Sequence, residues 1–162
     1  MFAKHLMSQP VATCSIHDNL QHAASLMWNF DCGTLPIVDD AGRAVAMLTD
    51  RDICMAGYTQ GKLLCDISVR TAMSKSLHSC SPDTSVESIE QLMMQNQIRR
   101  IPVIDTDGHP IGIVSLNDLA RAANKQHPSA HGASNGPSLN ATARTMAAIC
   151  APRQQESAPR LA

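Results

Sequence analysis

One segment of this chain occurs twice, displaced by a constant sixty-six residues without insertion or deletion. Leu35-Pro36-Ile37-Val38-Asp39-Asp40-Ala41-Gly42 becomes Ile101-Pro102-Val103-Ile104-Asp105-Thr106-Asp107-Gly108. The same shift carries Cys14-Ser15 onto Cys80-Ser81, Leu26-Met27 onto Leu92-Met93, and Thr49-Asp50-Arg51-Asp52 onto Ser115-Leu116-Asn117-Asp118. Two copies are too few for a solenoid, which stacks at least three. Two small units that bury their faces on each other form a pseudo-twofold pair, with two related clefts.

Each copy reads strand–helix–strand–strand–helix. In the first, Val11 to Cys14 is a short β-prone stretch. Asp18 is placed to cap a helix over Asn19 to Asp31, with Leu20, Ala23, Ala24 and Met27 on one face and Gly33 ending it. Leu35 to Val38 and Ala44 to Leu48 form a hairpin that turns at Gly42. Thr49-x-x-Asp52 has the layout of a capping box and opens a helix to about Ala56.

The second copy repeats the scheme: Leu77 to Cys80, then a helix capped by Asp83 that carries Val86, Ile89, Leu92 and Met93. A hairpin of Ile101 to Ile104 and Ile111 to Val114 turns at Asp107-Gly108, and Ser115-x-x-Asp118 opens a helix to Ala123. Gly57 to Met73 joins the copies. One such unit alone would be marginal. Two units packed sheet to sheet cover each other, so the expected fold class is α+β in tandem.

The expected organisation is repeat 1 with its N-terminal segment and linker over 1–66, repeat 2 over 67–124, and a low-complexity tail over 125–162. From Lys125 onward Leu, Ile, Val and Phe contribute only Leu139, Ile149 and Leu161. So little apolar surface predicts a largely disordered tail, with room for a short helix across Leu139 to Cys150.

Residues 1–124 hold nine Lys/Arg against thirteen Asp/Glu, and the tail holds four against one. Neither balance is the basic stripe of a nucleic-acid binder. No apolar run reaches membrane-spanning length, and the N-terminus lacks a signal-peptide layout. The six cysteines include no Cys-x-x-Cys pair and several sit in apolar runs, as buried free thiols do in a reducing cytoplasm. The seven histidines show no metal-ligand spacing, and no nucleophile elbow or phosphate loop occurs. The expectation is therefore a cytoplasmic protein that is not an enzyme and uses neither metal nor obligatory cofactor.

Pro36 and Pro102 sit inside the middle strands. Proline cannot donate to a ladder, so that end of each strand is an edge or opens onto a cleft. The next strand ends at a helix start, whose free N–H groups attract anions, and a carboxylate one turn in suits ribose hydroxyls. Read singly, Thr49/Asp52 and Ser115/Asp118 are better explained as helix caps; two copies in register, each beside a proline-bearing strand, bring the cap and ligand readings level.

The doubled set resembles a cystathionine β-synthase (CBS) domain pair, or Bateman module, from Leu6 to about Ala123. The Leu35–Asp39 and Ile101–Asp105 strands carry the resemblance, with Gly112-Ile113-Val114-Ser115-Leu116-Asn117-Asp118. The first copy departs from that pattern with Ala46 where the second has Gly112.

The resemblance implies a stand-alone regulatory module that senses energy state by binding an adenosine ligand (AMP, ADP, ATP or NAD) between the repeats. Asp52 and Asp118 would hold ribose, and Thr49 and Ser115 would sit at ribose or phosphate. Thr13 and Ser79, with Leu35-Pro36 and Ile101-Pro102, would line the adenine. Arg99 and Arg100 make the Asp118 side the stronger expected phosphate site, while Arg51 in the first copy stands where the second has Asn117. The implied partners are a second copy, through helix faces bearing Trp28, Met27 and Met93, and an effector protein that the sequence does not identify. A ligand-free interaction module and a cysteine-based redox sensor are the alternatives.

Overall fold

The computed structural model describes residues 1–125 and 136–151. In chain order the elements are β1 (Cys14–Ser15), α1 (Leu20–Asn29), β2 (Thr34–Val38), β3 (Ala44–Thr49), α2 (Asp50–Gln60), α3 (Val69–Ala72), α4 (Val86–Asn96), β4 (Arg100–Ile104), β5 (Pro110–Ser115), α5 (Leu116–Lys125) and α6 (Leu139–Cys150). Short 3-10 turns occupy Ala3–His5 and Leu64–Asp66. The fold is the expected α+β tandem.

The two hairpins match residue for residue. Leu35 pairs Leu48 and Ile101 pairs Val114, and both ladders slip at the matching place, after Ile37 and after Val103. Gly42 and Gly108 adopt φ of 76° and 91° at the turns, a region L side chains avoid. The first strands are shorter than expected. β1 pairs β2 only through Cys14 and Ser15, and its counterpart shrinks to a single bridge between Cys80 and Val103.

Two helix caps also differ from expectation. Asp18 accepts the Ser15 N–H at 2.9 Å and the Cys14 thiol at 3.3 Å, leaving Asn19 to cap α1. Asp83 is ion-paired with Lys4 at 2.7 Å, and Ser85 caps α4.

Each hairpin backs onto its own core. Leu20, Leu35, Ile37, Leu48, Ile67 and Val69 are buried in the first core, and Ala3, Ile89, Met93, Ile101, Val114 and Leu119 in the second. Ala3 and Val69 are therefore exchanged, because each segment preceding a repeat packs on the other repeat. Ala3 N–H donates to Thr84 O at 2.9 Å, and Val69 N–H donates to Asp18 O at 3.0 Å, one repeat length away. Ser8 bridges Ile113, as Ser74 bridges Met47. A twofold axis between repeats produces this reciprocity, and it ties each core to both halves of the chain.

The hairpin turns also meet. Ala44 N–H donates to Gly108 O at 2.9 Å, and His109 Nε2 lies 3.0 Å from Ala41 O. Within the tail, Leu139–Cys150 forms a full helix packed on α4 and α5, with Ile149 in the second core. Apolar contact supplied by repeat 2 orders a segment whose own composition argued against folding. The expectation of disorder at 126–135 and 152–162 lies outside the described residues.

Candidate functional site

Each repeat brings a strand end, a hairpin edge and a helix N-terminus together. β3 runs without a loop into α2, with Thr49 as N-cap. Thr49 N–H and its hydroxyl donate to Asp52 Oδ2 at 2.9 and 2.6 Å, and Asp52 N–H returns a bond to Thr49 Oγ1 at 3.2 Å. In repeat 2, Ser115 N–H and its hydroxyl donate to Asp118 Oδ2 at 2.8 and 2.5 Å, and Asp118 N–H returns at 3.3 Å. These are the expected capping boxes. Both hydroxyls spend their protons internally, so towards a ligand they offer acceptor capacity only.

The second carboxylate oxygens differ. Asp118, 7% exposed, has its Oδ1 bonded by the Arg121 guanidinium. Met55 stands at the matching position of repeat 1, and among the described residues nothing bonds Asp52 Oδ1. Asp52 is also the more accessible of the two.

The hairpin prolines sit opposite Met47 and Ile113. Parallel pairing on the other flank begins one residue later, at Ile37 and Val103. The missing N–H thus falls where no ladder asks for one. Leu35, Pro36, Ile101 and Pro102 are buried, whereas Thr13 and Ser79 keep partial access.

Arg51, Asn117 and Arg99 are exposed. Arg99 touches the start of α5 through its carbonyl, which accepts Leu116 N–H at 2.9 Å. Arg100 behaves differently. Its Nη2 crosses to repeat 1 and lies 3.5 Å from where a Cβ on Gly33 would stand, a point only 3.0 Å from Asp50 Oδ2. Gly33 in turn accepts the Asp50 N–H that begins α2. The Arg100 guanidinium therefore lies near Gly33 and the start of α2 in repeat 1; the sequence had associated it with the Asp118 side. Arg121 escaped the sequence reading because a lone arginine one turn past a capping aspartate carries no motif.

Gly112 also has a role the sequence did not reveal. A Cβ there would lie 2.7 Å from Met7 Sδ and 3.1 Å from Met7 Cβ, so the exchanged N-terminal segment occupies the space that glycine leaves.

All six cysteines are free. Burial pushes the Cys14 thiol up to about 12, helped by its bond to Asp18, and burial raises Cys80 to about 11. Both shifts disfavour the thiolate, the reactive form, at these pseudo-symmetric positions. Asp105, Asp107 and His109 bring ligand atoms within 4.8 Å of one another at the second hairpin turn. Asp105 Oδ1 there accepts the N–H groups of Asp107 and His109, which accounts for the cluster as turn architecture.

The model of one protein family, described as the CBS domain, matches residues 3–58 and 67–125. The CBS domain-containing protein YhcV of Bacillus subtilis is 43% identical over 117 residues, which are 72% of this chain and 81% of that protein. Hypoxic Response Protein I, solved with two coordinated zinc ions, is similar at 31% identity and TM-score 0.67, over 75% of this chain and 98% of that one. The CBS domain pair of protein MJ0100, solved with 5′-methylthioadenosine and S-adenosyl-L-methionine, matches at 26% identity and TM-score 0.67, over 75% and 98%.

Proposed function

The chain belongs to the CBS-domain family, and from that membership we propose that it is a regulatory module which binds an adenosine-containing ligand between its repeats and performs no catalysis. The open Oδ1 of Asp52, beside an otherwise complete capping box, carries this reading. It is an open acceptor oxygen at the N-terminus of α2, suited to the paired hydroxyls of a ribose. Thr13 and the Leu35-Pro36 edge would flank the adenine on this side, and Arg51 and Arg100 would face the phosphates. The MJ0100 pair, solved with two adenosyl compounds, supports the ligand class. AMP, ADP, ATP and NAD all present the same ribose.

The matching set in repeat 2 is Ser79, Arg99, Ile101-Pro102, Ser115, Asn117 and Asp118. It forms the weaker site, because Arg121 already occupies the carboxylate that ribose would use. That same ion pair is what favours a second reading, a ligand-free interaction module whose boxes are only caps.

Ligand binding would favour one arrangement of the repeats by its differential affinity. The output would pass to an effector protein from a homodimer. No described helix is long and apolar enough to cross a membrane. A cytoplasmic location is the reading that the free thiols support.

Isothermal titration calorimetry with AMP, ATP, NAD and S-adenosylmethionine tests the proposal. Asp52→Asn should weaken binding by about 10- to 100-fold, the loss of one charged hydrogen bond, with the far-UV circular dichroism unchanged. No heat with any of the four compounds would remove the reading.

A further inference from the structure

The helix α6 covers a carboxyl group that its docking leaves unsatisfied. It lies across α4 and α5 of repeat 2 and buries Thr142, Thr145 and Ile149. Glu90 of α4 is only 6% exposed beneath it, and its Oε1 has no hydrogen-bond partner among the described residues. The Thr142 hydroxyl of α6 is buried and unpartnered in the same way.

The two orphan atoms belong to one level of the interface. At the end of α4, the Gln97 side-chain amide donates to Ala148 O and Ala151 O at 3.4 and 3.2 Å. Glu90, two turns earlier on α4, feels the charge of Arg144, also earlier on α6. The helices therefore run in the same direction, and Thr142, two turns before Ile149, falls at the level of Glu90. One repeat length before Glu90 the residue is Ala24, so the carboxyl accompanies α6 and is no part of the repeated unit.

α6 is also lightly held. Leu139 and Met146 stay about half exposed, and Ile149 is its one large apolar side chain in the second core. A helix of 12 residues is marginal in water without tertiary contacts, so α6 that leaves the surface also melts.

We propose that α6 is a strap whose docking on repeat 2 is set by the proton on Glu90: the neutral carboxyl is covered by the helix, and ionisation releases it. A neutral carboxyl can donate to an acceptor such as the Thr142 hydroxyl, whereas a carboxylate sealed under α6 loses hydration with no bond in return. Burial first and Glu87 on α4 second raise the Glu90 pKa, against a smaller attraction by Arg144 of α6. Of the other elements around it, β4 brings Arg100, whose guanidinium lies near Gly33 in repeat 1, and α5 brings Arg121, bonded to Asp118. Undocking returns the carboxyl to water and to its ordinary range. The docked state therefore binds the proton more tightly, and docking weakens as pH rises from that range through the docked pKa. Release uncovers the α4–α5 surface of repeat 2.

Hydrogen–deuterium exchange of the full chain, read by mass spectrometry between pH 5 and 8 with times scaled for the intrinsic rate, follows the strap directly. Protection across α6 should fall by about tenfold or more over that range, with β4 and β5 unchanged. Glu90→Gln, which keeps the shape and removes the charge, should leave α6 protected throughout. Arg144→Gln, at an exposed position, should deepen the loss at the alkaline end, because it removes the attraction that favours the docked carboxylate. Protection of α6 that does not vary with pH, or that falls equally in Glu90→Gln, overturns the strap. Joint loss of protection in α6, β4 and β5 overturns it too, since that marks opening of the whole repeat.

Discussion

Gly112→Ala tests whether the exchanged N-terminal segment is a structural part of repeat 2. The added Cβ would sit 2.7 Å from Met7 Sδ, 3.0 Å from its Cγ and 3.1 Å from its Cβ. The thioether can swing away, but the Met7 Cβ follows its backbone. That backbone is held by Met7 N–H to Ala3 O at 2.9 Å and by the two bonds of Ser8 with Ile113, at 2.9 and 3.2 Å. Relief therefore requires peeling the segment, which would expose Ala3 from the second core. Overpacking of this kind costs roughly 1–3 kcal/mol. Loss of glycine's unfolded-state freedom offsets about 0.4–1 kcal/mol of it. The net is about 1–2 kcal/mol of destabilisation, or roughly 3–8 °C in Tm for a domain of this size.

The assay is thermal and urea unfolding of a double-mutant cycle with Met7→Gly, which removes the Cβ as well as the thioether. In the Met7→Gly background, Gly112→Ala should cost nothing or stabilise slightly, giving a coupling of about 1–2 kcal/mol. Repeat 1 shows that a Cβ is tolerable when the cover is placed for it. Ala46 stands at the equivalent position, with Met73, the counterpart of Met7, packed against the same core. Equal losses in both backgrounds, or a Gly112→Ala protein as stable as the parent, would refute the reasoning.

Two further outcomes follow from individual contacts. Arg121→Met gives repeat 2 the residue that repeat 1 carries and frees Asp118 Oδ1; calorimetry should then show a second adenosine-ligand site strengthened up to about fivefold, the scale of an exposed ion pair. Glu90 has its pKa raised by burial first and by Glu87 second, against a smaller opposing effect of Arg144, and its Oε1 is buried without a partner among the described residues. The folded state thus binds this proton more tightly than the unfolded chain, so stability falls as pH rises from the ordinary glutamate range through the folded pKa. Glu90→Gln should flatten that slope, with a larger gain in urea midpoint at neutral pH than in mild acid.

Much of the candidate site was legible because its parts are local. A capping box is closed by residues three apart, and a hairpin turn by a glycine with a left-handed φ, so Thr49/Asp52, Ser115/Asp118, Gly42 and Gly108 all stand where the sequence put them. Of the two misjudged caps, Asp18 is diverted by its near neighbours Ser15 and Cys14, whereas Asp83 failed for want of long-range information. Asp83 is a good local cap until Lys4, seventy-nine residues away, takes its carboxylate. The same limit concealed the destination of Arg100, whose chain neighbours belong to repeat 2 while its guanidinium reaches repeat 1.

By itself, then, the sequence determined the repeated unit, its hairpins and helix starts, and the pairing of two such units, since these rest on periodicity and on contacts within a few residues. Tertiary structure alone decided which segment completes which core, that α6 folds onto repeat 2, and that Asp52 stays open while Asp118 is paired. The physical reason is that burial and charge pairing depend on what lies across the fold. Two copies of one local pattern, set in different surroundings, therefore present different chemistry.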